Sequence, residues 1–190
     1  MAIVRPFKAI RPTRDKANLV ASRSYLSYSD ETLNEKLEHN PFTFLHIINP
    51  DYNGEIKKKG IEKFNAVKEK FNDFQEAGFL ITEAADSFYI YQQTNENNNF
   101  EGIIGATAVA DYLNGNIKKH EHTLNARKKM FKSYLDTTGF NAEPVLLCHQ
   151  KNTDITTIIQ NHKATRAEYE FATTNKAVHK LWLVNNTDDI

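Results

Sequence analysis

Thirteen residues, Asp111 to Thr123, gather the side chains best able to do chemistry: Asp111, Tyr112, Gly115, Lys118, Lys119, His120, Glu121, His122 and Thr123. Lysines placed ahead of a helix suit a phosphate or carboxylate, because ammonium groups and helix-end amides both attract anions. Gly115 lets the backbone approach a ligand closely. His120 could move a proton near neutral pH, and Glu121 could serve as a base or a metal contact. His120 and Glu121 are therefore the catalytic candidates, and Lys118, Lys119, Gly115, Thr123 and Arg127 the anion-binding ones, with Tyr112, Arg11, Asn40 and His46 in support. The same stretch also has a plain reading: solvated lysines, Glu121 favouring the helix dipole, and Thr123 or His122 capping the first turn. A zinc site is not expected, since there is one cysteine and no second histidine pair at ligand spacing. No metal is assigned. The sequence contains no glycine-rich phosphate loop, dinucleotide fingerprint or nucleophile elbow.

The elements that must position these residues follow from periodicity. Residues 1–29 hold Pro6, Pro12 and four arginines with little helical period, which suits extended segments and loops. Ser29 or Asp30 caps a short helix carrying Leu33 and Leu37 and ending near Asn40-Pro41. Phe42 to Ile48 reads as a strand with Phe42, Phe44, His46 and Ile48 on one face and Thr43, Leu45 and Ile47 on the other. Ile61, Phe64, Val67, Phe71 and Phe74 recur at three- and four-residue steps, predicting an amphipathic helix over 60–77 with a core-facing aromatic stripe and a stop at Gly78. Strands are expected at 79–82, 88–92 and 102–109. The last two are joined by an asparagine-rich, flexible hairpin tip.

Leu124, Phe131, Tyr134 and Leu135 mark a second amphipathic helix, over 121–138, stopping at Gly139. Pro144 to His149 is expected as an apolar strand, Asp154 as the cap of a third helix with Ile155, Ile158 and Ile159, and 167–173 with 179–184 as a closing hairpin. The fold class is α+β: one domain over 1–190, with a mixed, mainly antiparallel sheet and the helices near 60–77 and 121–138 packed on it.

Composition narrows the function classes. The chain is 40% apolar and 25% charged, with 12 Phe and 8 Tyr, which is a globular composition. Lys plus Arg equals Asp plus Glu at 24 each, so no net field recruits nucleic acid or an anionic membrane, and neither is expected as a partner. No apolar run approaches the ~18 residues of a spanning helix. Cys148, the single cysteine, lies in the apolar run Val145-Leu146-Leu147-Cys148 and is expected to be buried and inert, in a reducing, cytoplasmic compartment.

Three motifs in order carry a family resemblance: Arg5-Pro6-Phe7-Lys8-Ala9-Ile10-Arg11-Pro12, Asn40-Pro41-x-x-Phe44-Leu45-His46, and Tyr112-x-x-Gly115-x-Ile117-Lys118-Lys119-His120-Glu121-x-Thr123. With the tyrosines around Ile90 and the run Gly139 to Val145, the chain resembles the bacterial domain of unknown function (DUF) family 1015, in its Bacteroidetes branch. The resemblance implies that the chain is the N-terminal part of a longer protein, because the family's later Asp-Gly-His-His-Arg motif is absent here. It also departs from the family at Arg127-Lys128-Lys129, where many members carry acidic residues. The missing motif is similar to the phosphate-contacting motif of the ParB and sulfiredoxin superfamily, which includes free-serine kinases. By that analogy the full-length protein is a phosphotransferase using ATP or ADP with Mg and acting on a small hydroxylated metabolite. The alternative is a non-catalytic regulatory protein that binds a small anion or nucleotide. On either reading the 190-residue chain is expected to fold and to be catalytically silent. It is further expected to be marginally stable or to self-associate through the C-terminal hairpin, whose run Lys180 to Val184 is apolar on both faces.

Overall fold

The computed structural model describes residues 2–52, 54, 57–120 and 124–185. In chain order the elements begin β1 (Val4–Arg5), β2 (Ile10–Pro12), α1 (Ala17–Val20), a 3-10 turn at Tyr25–Ser27, α2 (Asp30–His39), α3 (Leu45–Ile48), α4 (Gly60–Glu76) and β3 (Leu80–Thr82). They continue with β4 (Phe88–Thr94), β5 (Asn99–Ile104), β6 (Ala106–Thr107), α5 (Val109–Leu113), α6 (Asn125–Thr138), α7 (Thr153–Lys163), β7 (Tyr169–Ala172) and β8 (Val178–Val184). This is an α+β fold with antiparallel strand pairing. Among the described residues no helix is long and apolar enough to cross a membrane. The chain forms two compact units: Met1–Arg14 with Thr82–His120 and Pro144–Ile190, and Asp15–Ile81 with Glu121–Glu143.

The second unit is helical. Ser29 caps α2 by accepting from the Thr32 amide, as its sequence suggests. α4 buries Val67, Phe71 and Phe74 against Val20, Ile47 and Leu80, so most of the aromatic stripe is core. Ile61 departs from it at 55% exposure, because the first turn of α4 runs beyond the packed surface. α6 packs on α4: Phe71 stacks on Phe140 at 4.0 Å, and Phe64 meets the edge of Tyr134 at 5.3 Å. Only part of the expected apolar face of α6 is used, since Tyr134 turns inward while Leu124, Phe131 and Leu135 are exposed. Gly139 stops α6 at φ 76°, a left-handed conformation that a side chain would strain.

Residues 42–48 correct the expected strand. The segment turns into the short helix α3, because Asn40 and Thr43 offer the backbone local partners: Asn40 Oδ1 accepts from the Phe42 amide at 3.1 Å, and Thr43 Oγ1 accepts from that of Leu45 at 3.4 Å. Thr43, Leu45 and Ile47 are all buried, so the alternation correctly picks out the inward residues while missing the backbone.

The first unit is built on a four-stranded sheet in the order β5-β4-β8-β7. The hairpin between β4 and β5 turns where expected, and Asn95 accepts from the amides of Asn97 and Asn98. One face packs Phe88, Ile90, Trp182 and Val184 against Ile155 and Ile159 of α7. An ion pair from Lys163 to Glu101 joins α7 to β5. Asn152, not Asp154, caps α7, accepting from the amides of Asp154 and Ile155, because only Asn152 precedes the first turn with a free carbonyl oxygen. β1 pairs with β6, and Gly105 is required between them: a Cβ there would lie 2.8 Å from Val4 Cγ1.

The expected strand and the buried cysteine are both corrected in this unit. Residues 144–149 form no strand, and Val145 and Leu146 are 80% and 87% exposed. Cys148 is likewise exposed, not buried, because its run has no sheet neighbour. The run Lys180 to Val184 is not an open edge, since β8 is paired on both sides, with β4 and with β7. Trp182 and Val184 are buried.

Candidate functional site

The run read as strand over 102–109 breaks after Thr107, and α5 follows, carrying Asp111 and Tyr112. Asp111 is buried and fixes what comes next. Its Oδ2 accepts from the Ile3 amide at 2.7 Å, its Oδ1 from Asn116 Nδ2 at 2.8 Å, and its backbone carbonyl from the Ile117 amide at 3.0 Å. The Ile3 amide, and after it the Asn116 side chain, hold the Asp111 carboxyl below the usual carboxylate range, against the opposing effect of burial. Gly115 takes φ 78° in the turn, with nothing within 4 Å of the position a Cβ would fill. Its positive φ is a backbone conformation that favours glycine.

Past this clamped turn, Lys118, Lys119 and His120 are exposed. The Lys119 ammonium stands 4.6 Å from the centre of the Tyr112 ring, so these two predicted residues are brought together by a cation–π contact. Among the described residues no carboxylate pairs with Lys118 or Lys119. Glu121 and Thr123 lie outside the described residues, as does His122. Arg127, on α6 in the other unit, is exposed, and its guanidinium carbon lies 6.0 Å from the centre of the Phe131 ring.

The supporting residues are each held by partners within their own unit. In the second unit Asn40 Nδ2 donates to the Leu19 carbonyl at 2.7 Å, while His46 Nε2 donates to the Asn40 carbonyl at 3.1 Å. Burial, aided by the Lys70 charge, pushes the His46 imidazole below its ordinary range despite that hydrogen bond. The pair secures the corner between α2 and α3. In the first unit Arg11 lies in an ion network: its Nε pairs with Glu83, and its Nη1 reaches Glu168 at 3.0 Å and the Tyr169 hydroxyl at 2.6 Å. Arg14 joins through Glu168 at 3.6 Å and the Ala167 carbonyl at 2.9 Å. Burial opposes the Arg11 charge, yet the hydrogen bonds to Tyr169 and Glu83 outweigh it and hold the guanidinium above its ordinary value.

A cluster that the sequence did not reveal sits on the sheet face opposite α7, where Tyr91, His179 and Thr173 meet by hydrogen bonds. Strand alternation places His179 on the face of Leu181 and Tyr91 on that of Tyr89, but only the register, in which Gln93 faces His179, joins the two.

The comparisons agree with the motifs: residues 4–190 match the profile of a family described as "Protein of unknown function (DUF1015)". No curated protein and no solved structure matches the chain.

Proposed function

Since the chain belongs to the DUF1015 family, we propose that its loop from Gly115 to His120 holds the phosphate or carboxylate of a small ligand. The observation that carries this is the contrast in partners along one short loop. Asp111 has its carboxylate engaged in fixing the turn, whereas Lys118 and Lys119 have no described acid to neutralise them. A preorganised turn presenting two ammonium groups and an imidazole binds an anion without first ordering the backbone.

The finer reading is a nucleotide-dependent phosphotransferase, using ATP or ADP with Mg and acting on a small hydroxylated, serine-like metabolite. Lys118 or Lys119 then holds phosphate, and His120 or Glu121 handles the hydroxyl proton. In the non-catalytic alternative the same loop holds an anion or nucleotide and nothing turns over.

The test is a thermal-shift and equilibrium-binding panel of ATP, ADP and inorganic phosphate with and without Mg²⁺, followed by transfer of label from ATP to serine. Binding that the Lys118→Ala/Lys119→Ala variant weakens tenfold or more supports the anion loop. Label transfer selects the enzyme, and binding without transfer selects the regulatory protein. Absence of binding by every anion, or binding indifferent to both lysines, overturns the proposal.

A further inference from the structure

Both ring nitrogens of His179 are engaged. Nδ1 is 2.7 Å from the Tyr91 hydroxyl oxygen and Nε2 is 3.2 Å from Thr173 Oγ1, while Phe171 stacks on the ring with centroids 5.3 Å apart. The direction of each bond follows from counting hydrogens. Thr173 has one hydroxyl hydrogen, and two acceptors lie within its reach, Asn175 Oδ1 at 2.5 Å and the Ala177 carbonyl at 3.1 Å. With that hydrogen committed, Oγ1 accepts from the imidazole, so Nε2 carries the ring hydrogen. Nδ1 of the neutral ring is then a lone pair, and Tyr91 O–H donates to it. Tyr91 has a second acceptor in reserve: Gln93 Oε1 lies 3.4 Å from the same hydroxyl.

We propose that Tyr91, His179 and Gln93 form a proton-operated reversing switch between β4 and β8. When His179 takes up a proton at Nδ1, the Tyr91 O–H turns from His179 to Gln93 Oε1, and the tyrosine oxygen becomes the acceptor of the new Nδ1–H. Heavy atoms need move little. The hydrogen-bond chain changes direction, and a positive charge appears on the ring, on the sheet face where Arg11 already lies over Tyr169.

The groups in direct contact with the ring are uncharged. β4 presents Tyr91 as the only titratable side chain bonded to the ring, and β7 and the following turn present Phe171, Thr173 and Asn175. Lys176 of that turn is directed at Glu96 at 3.8 Å. Lys180 and Glu170 pair with each other at 2.8 Å from register positions on the opposite face. Burial pushes the His179 imidazole below its ordinary range and the Tyr91 phenol above its own, so the switch operates below the ordinary imidazole range and not through tyrosinate.

Histidine-resolved ¹⁵N NMR across a pH titration of the full chain tests the switch. The neutral ring is expected as the Nε2–H tautomer, with a titration midpoint below the ordinary imidazole value. Gln93→Leu removes the acceptor needed only by the charged state, and it should lower the midpoint by roughly half a unit or more. Gln93→Asn, which draws the acceptor back by one methylene, should act in the same direction and serves if the leucine variant misfolds. An Nδ1–H tautomer overturns the proposal. So does a midpoint that neither variant moves, even with the expected tautomer.

Discussion

The first unit handles positive charge in two ways. Around Arg11 two guanidinium groups meet two carboxylates and a phenol, and the Arg11 side chain is only 14% exposed. Around Lys118 and Lys119 the cations are exposed and no described carboxylate answers them. A desolvated charge is tolerable only with its partners in place, whereas a solvated one is stable alone and remains available to a ligand. The motif arginine is therefore held within the architecture, and the motif lysines stay in solvent.

The largest effect is expected from Arg11→Met, which leaves Glu83, Glu168 and the Tyr169 hydroxyl without their common donor. It should cost about 3 kcal/mol in urea unfolding, in the range for breaking a buried pair. A loss under about 1 kcal/mol would mean that the network is solvated after all.

Next in size is Gly115→Ala. The added Cβ meets no atom, so the cost is the left-handed backbone alone, about 1 kcal/mol, and Gly115→Asn should recover part of it. If the two variants unfold at the same urea concentration, the turn does not hold its positive φ in solution.

Acid should separate the buried groups from the loop. The folded state depresses the pKa of both His46 and Asp111, so each contributes stability that is fully present above its unfolded value and lost as pH falls through its folded value. Stability should thus decline first below the ordinary imidazole range and again below the ordinary carboxylate range. His46→Gln should remove part of the first decline, to which the depressed His179 also contributes, and Asp111→Asn should flatten the second, as read from unfolding midpoints at a series of pH values. A decline unchanged in both variants would place the acid sensitivity elsewhere.

The smallest effect on stability is expected from Lys118→Ala with Lys119→Ala, within about 0.5 kcal/mol of the parent. A larger loss would show these lysines to be structural, and would erase the contrast with Arg11.

The sequence made local features legible and pairings obscure. α4 could be read because its aromatic residues repeat every turn between two glycines, and the β4–β5 tip because asparagine bonds its own backbone. Val145 to Leu147 has equally strong strand character and forms none, since a strand exists only where a neighbour offers a ladder. The candidate loop was found from residue types at Lys118, Lys119 and His120. The clamp that fixes it joins Asp111 to Ile3 across more than 100 residues, and no local pattern encodes that. The partners of Arg11 were hidden for the same reason, with Glu168 and Tyr169 more than 150 positions away.

The place of β8 bears on how the molecule is made. It follows every other strand of the described residues, yet it lies inside the sheet and bonds β4 residue for residue from Phe88↔Val184 to Thr94↔Val178. A ribosome that has released β4 and β5 has released a hairpin with one unsatisfied side, which must wait through some eighty further residues for its neighbour. Synthesis at ~5–20 residues per second makes that wait last seconds, far longer than a hairpin takes to form. Helical contacts such as those between α4 and α6 can close while the sheet is still incomplete. During that interval the nascent chain carries Tyr89, Ile90 and Tyr91 on an unpaired edge, and protection by a chaperone matters most then.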